Sequence, residues 1–134
     1  MLNKHQSLVY CMVVMSAADS DMTDVELMTM QQIVSFLPVF TGYDPGDLAD
    51  DAGKCAEVLL DEDGFDKALD LIRESLPVSL RETAYALAVE VAAADLHAGE
   101  EELNLLQMIR HKLDIDRLIA AGIERGARAR YSVS

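Results

Sequence analysis

The chain has 134 residues, 51% of them hydrophobic, with a formal net charge of −13 and no tryptophan. That length and apolar share suit one globular domain with its own core, since domains cluster near roughly 100–150 residues. The acidic balance excludes a nucleic-acid-binding surface, which needs a basic face to release counterions; with Gly and Pro scarce beside abundant Ala, Leu, Val and Met, an all-α fold is expected.

In chain order, Lys4 to Ala18 reads as a first helix, too widely apolar around Leu8, Cys11, Met12 and Met15 for a surface stripe and therefore buried. After Asp19-Ser20-Asp21-Met22, Thr23-Asp24-Val25-Glu26 spells a capping box that opens a second helix running to about Leu37, before Pro38. Asp44-Pro45 predicts a capped third helix ending near Leu60, with Asp47, Asp50 and Asp51 on its acidic face and Leu48, Ala52, Cys55, Ala56 and Leu59 opposite. Asp61-Glu62-Asp63-Gly64 is a turn into a fourth helix, Phe65 to Leu76, closed by Pro77.

Ser79-Leu80-Arg81-Glu82 is a second capping box, opening an Ala- and Val-rich helix through Ala94 in which Glu90 is the one acid within an apolar run. A sixth helix, Glu100 to Lys112, begins with three acids favoured by the positive end of the helix dipole. The seventh spans about Ile115 to Arg125; Gly126 is its expected stop, leaving residues 126–134 as a weakly ordered tail beyond a core of about 8–125. Seven helices with short connections make a single-domain bundle.

The chain also repeats itself. Ala17-Ala18-Asp19, Asp24, Glu26-Leu27 and Ile33 recur 76 positions later as Ala93-Ala94-Asp95, Glu100, Glu102-Leu103 and Ile109, which predicts two matching helix, acidic loop, helix hairpins. Leu8 to Met15 behind Lys4-His5 has the outline of a secretory leader, and Leu8-Val9-Tyr10-Cys11 that of a lipoprotein box. The match to Ala84–Ala94 accounts for the same apolarity by core packing, and no run approaches the ~20 apolar residues of a membrane span. A cytoplasmic protein with no direct membrane insertion is expected.

Clustered carboxylates in the loops suggest a hard divalent cation of the Ca²⁺ or Mg²⁺ type, which takes oxygen ligands. The candidates are Asp19, Glu26, Asp95 and Glu102, with Asp21 and Asp24 secondary. Asp19, Asp21 and Thr23 fit the first, third and fifth EF-hand places, yet Asp24 replaces the glycine and Met30 stands where the bidentate glutamate belongs, so the loop is not an EF-hand. The same acids have a plainer use: Asp19 and Asp95 accepting loop amides, Glu26 and Glu102 completing helix caps.

Other chemistry is sparse. Phosphate loops, nucleophile elbows and His-Glu-x-x-His are absent from the sequence, as is the Glu-x-x-His pairing of a di-iron bundle, and no enzyme is expected. Cys11 and Cys55 lack metal-site or redox spacing and read as buried thiols; His5, His97 and His111 read as surface residues. Met12, Met15, Met22, Met28 and Met30 suit either core filling or an adaptable partner groove, and core filling is expected.

Met12 to Ala18 then Asp19 and Glu26, and Val89 to Ala94 then Asp95 and Glu102, resemble the doubled apolar-Ala-Ala-x-Asp-Gly, then Glu signature of the TerB-like tellurite-resistance family, across about Leu8 to Ile123. Ser20 and Leu96 stand where that family has glycine. The resemblance implies a small helical, non-enzymatic cytoplasmic stress-response module, metal-binding acids at Asp19, Glu26, Asp95 and Glu102, and partners among other proteins, including membrane-integrated ones. The related domain also occurs fused to J-domain co-chaperones, so the alternative is a scaffold or co-chaperone-type accessory that binds a partner helix or peptide, its acids only capping helices.

Overall fold

The computed structural model describes residues 1–17, 23–94 and 99–134. Those residues form seven α-helices and no strand, the all-α bundle that composition and periodicity predict.

Helix α1 (Lys4–Ser16) starts at an Asn3–Gln6 capping box and is buried continuously from Ser7 to Ser16. A helix apolar on every side must be surrounded by other helices: α1 packs against α3 (Leu48–Leu59), α4 (Gly64–Ser75), α5 (Arg81–Ala94) and α6 (Glu100–Lys112). Its main neighbour, α5, also carries α2 (Asp24–Phe36) and α7 (Arg117–Tyr131). The core thus lies between α1 and α5, the first helices of the two predicted repeats.

Burial follows the repeat at the positions the sequence matches. Helix α6 begins and ends 76 residues after α2. Within the pair, Glu26 and Glu102 are buried, Met30 and Leu106 are buried, Ile33 and Ile109 are buried, while Leu27 and Leu103 both face solvent. In α1 and α5, Met12 matches Ala88 and Val13 matches Val89, all in the core.

Local chemistry sets the helix ends. Thr23 and Glu26 form the predicted capping box, and Asp44 accepts the Gly46 amide ahead of a 3₁₀ turn, Pro45–Asp47, that leads into α3. Another 3₁₀ turn, Val78–Leu80, introduces α5 and takes the place of the expected Ser79 cap. Helix α6 closes in a Schellman motif: Ile115 N–H donates to Arg110 O, Asp114 N–H donates to His111 O, and Asp114 adopts φ 54°. Between α3 and α4, a Cβ on Gly64 would sit 2.6 Å from the Leu59 Cα, so only glycine allows that close approach.

Two expectations need correction. Gly126 does not stop α7, which runs to Tyr131: Ala127 is buried in line with Ala120 and Ile123, and Glu90 of α5 accepts from Arg130 and from the Tyr131 hydroxyl. The stripe continues past the glycine and outweighs its weak helix propensity. Asp51, assigned to the solvent face of α3, is buried, whereas Ala56, assigned to the core face, is exposed. Among the described residues no helix is long and apolar enough to cross a membrane.

Candidate functional site

The buried acids at the starts of α2 and α6 are the part of the predicted site that the structure describes. Glu26 is 1% exposed and Glu102 2%, unusual for carboxylates, which stay in water unless partnered. At Glu26 the partner is local: Oε1 accepts from Thr23 N–H at 2.9 Å and from the Thr23 hydroxyl at 3.0 Å, while that hydroxyl accepts from Glu26 N–H at 3.1 Å. At Glu102 the corresponding cap position is Gly99, which has no side chain to reciprocate. The two copies therefore share the buried glutamate but not the cap.

Asp24, Glu100 and Glu101 occupy the same first turns and point to solvent, where they complement the helix dipole. Asp19, Asp21, Asp95 and His97 lie outside the described residues, as does Met22. Among the described residues no group of three or more His, Cys, Asp or Glu side chains is gathered as a metal cage. Of the proposed donor set, the structure thus fixes Glu26 and Glu102, both oxygen donors of the kind Ca²⁺ and Mg²⁺ take.

An acidic surface is built elsewhere, from the segment before α3 through α3 and the turn after it to the first turn of α4. Asp44, Asp47, Asp50, Glu57, Asp61, Glu62, Asp63 and Asp66 are all exposed along this stretch. Lys67 pairs with Asp61 at 3.3 Å, in water and so worth little. The face remains strongly negative, suited to a basic surface on a partner.

Asp51 points the other way. It accepts from the Tyr43 hydroxyl at 2.7 Å and from Gln6 Nε2 at 3.3 Å, tying the segment before α3 to α1. Burial, then the Asp51 hydrogen bond, pushes the Tyr43 phenol well above the ordinary range. His5, expected at the surface, stacks on Phe40 with its Nε2 2.9 Å from the Val39 carbonyl, and meets the edge of Tyr43; His111 is exposed as expected.

Both thiols are buried and unoxidised. Burial pushes each up to about 12, with the neighbouring Cys55 adding to the effect on Cys11. Neutral at physiological pH, they are poor nucleophiles and serve as core atoms. Met12, Met15 and Met30 fill the core, while Met28 is exposed.

Two of the clefts on the described surface take charged side chains from α6. One, about 850 Å³, lies between α4 and α6 and contains Asp66, Asp70, Arg73, His111 and Lys112. Its cations are already neutralised: Lys112 by Asp70, and Arg73 by Asp114 at 2.9 Å. The other, smaller, lies between α6 and α7 over Tyr85.

Neither a family model, nor a curated protein, nor a solved structure matches the chain. Function must therefore be read from the residues themselves.

Proposed function

We propose that the protein is a non-enzymatic stress-response module of the TerB-like tellurite-resistance type, docking onto other proteins of such a system through its acidic face, with a divalent cation of the Ca²⁺ or Mg²⁺ type held at the paired loops. The observation that carries this reading is the equivalent burial of Glu26 and Glu102, each the third residue of its helix and each seven residues after an aspartate, Asp19 and Asp95. Two carboxylates fixed at matched positions are oxygen donors of the kind a hard divalent cation takes. The exposed acids of α3 and its following turn supply the docking surface. Membrane-integrated components of the system are the partners this reading implies.

Titration calorimetry with Ca²⁺, Mg²⁺, Mn²⁺ and Zn²⁺ tests the ion component. Saturable heat and a raised melting temperature with at least one ion are expected, both lost in an Asp19→Asn, Asp95→Asn double variant. Silence with all four ions retires the cation and leaves docking alone.

A second reading, a scaffold or co-chaperone-type accessory that binds a partner helix, is favoured by one specific observation. Val25, Met28 and Phe36 lie along the outer face of α2, exposed at 53%, 62% and 83%. An apolar stripe of this kind fits an amphipathic helix, and here the Thr23–Glu26 capping box is the whole role of Glu26. Phe36→Glu separates the two readings: it abolishes partner binding in the second and leaves the acidic-face docking of the first intact.

A further inference from the structure

The α6–α7 pocket has a charge opposite to that of the molecule. In a chain of net charge −13, this cavity of about 360 Å³ is lined by Arg110 and Arg117 with Glu124 as its one acid. Glu124 is engaged, since its Oε2 accepts from the Tyr85 hydroxyl at 2.7 Å. The arginines are not: neither forms an ion pair among the described residues, whereas the cations of the larger α4–α6 cleft are held by Asp70 and Asp114. Arg110 gives one N–H to His111 Nε2 at 3.2 Å, leaving the rest of its fork of donors. Leu106 and Ala120, both buried, give the pocket an apolar floor.

We infer that this pocket binds a small organic carboxylate, its acid group taken by Arg110 and Arg117 and its apolar body resting on the Leu106–Ala120 floor. Guanidinium forks match carboxylate geometry in bidentate pairs, which give direction as well as energy. The volume lies at the small end of ligand pockets, fitting a metabolite-sized acid. The Tyr85–Glu124 hydrogen bond ties two of the lining residues to each other. This site is separate from the paired loops and from the α3 face, and stands or falls independently of the proposed function.

Amide NMR titration with benzoate and with succinate, at constant chloride, tests the assignment. Saturable shifts at Gln107, Ala120 and Ala121 are expected, with a dissociation constant of about 1 mM or tighter. Two variants locate the binding: Arg110→Gln with Arg117→Gln together, and Arg117→Glu alone, a change at an exposed position that leaves the fold in place. Each weakens binding by about tenfold or more while resonances outside the pocket stay where they are. Non-saturable shifts with both acids, undiminished binding in the variants, or an equal response to inorganic phosphate overturns the assignment.

Discussion

Glu26 and Glu102, 76 positions apart in sequence, occupy one structural position twice: third residue of a 13-residue helix, side chain withdrawn from water. Only the first has a hydroxyl in front of it, Thr23, to close a reciprocal cap. The stability contributions of the two glutamates should differ accordingly.

Thr23→Ala removes the cap acceptor for the Glu26 amide and should cost about 0.5–2 kcal/mol. Because Glu26 Oε1 takes both Thr23 donors, Thr23→Ala and Glu26→Ala should be non-additive, coupled by about 0.5 kcal/mol or more. Urea melts of the four-member cycle measure this; strict additivity would mean that the box contributes nothing.

Gly64→Ala places a methyl group 2.6 Å from the Leu59 backbone and should destabilise by about 1–3 kcal/mol, the range for forced overpacking. Gly53, in the exposed middle of α3 with nothing within 4 Å of a built Cβ, is the control. There alanine should stabilise by roughly 0.4–1 kcal/mol through helix propensity and a less flexible unfolded chain. Thermal melts of the two variants should move in opposite directions.

Alkaline stability should depend on the buried thiols. Both are raised from 9.0 to about 12 in the folded state, so above pH 9 the unfolded chain binds fewer protons than the native one. Their contribution is present in full below pH 9 and is lost progressively as pH rises toward 12. A Cys11→Ala, Cys55→Ala variant is less stable at neutral pH from lost packing, yet its stability should fall less steeply between pH 9 and 11 than that of the parent. Guanidinium melts across that range give the slope.

Ending the chain after Gly126 removes the buried Ala127 and both donors to Glu90. A loss of about 2–4 kcal/mol follows, comparable to deleting a large core side chain, and circular dichroism melts should show it. A disordered tail would leave the melting temperature unchanged.

What could be read from the sequence was whatever neighbouring residues decide among themselves. The Thr23–Glu26 box, the Asp44-Pro45 start and the first-turn acids of α6 are local, and all three stand in the structure. Asp51 shares its charge with the exposed Asp50 beside it, yet Leu48, Asp51 and Cys55 share the spacing of one buried stripe. The interval was readable; its partners were not, since Tyr43 and Gln6 arrive through tertiary packing. The end of α7 follows the same logic: Ala120, Ile123, Ala127 and Tyr131 continue the helical interval through Gly126. Asn3–Gln6 was also there to be read, as an amide version of the capping box. The α6–α7 pocket had no linear signature, because Arg110 and Arg117 sit on different helices and line one cavity only in the folded chain.

A crystal structure grown with Mn²⁺, read by anomalous scattering, decides whether the two halves share a cation. One anomalous peak between the loops, within coordination distance of carboxylates from both copies, is the expected result. The contrary result is no peak at all, with Asp19 and Asp95 remote from each other and each bound only to the backbone of its own loop.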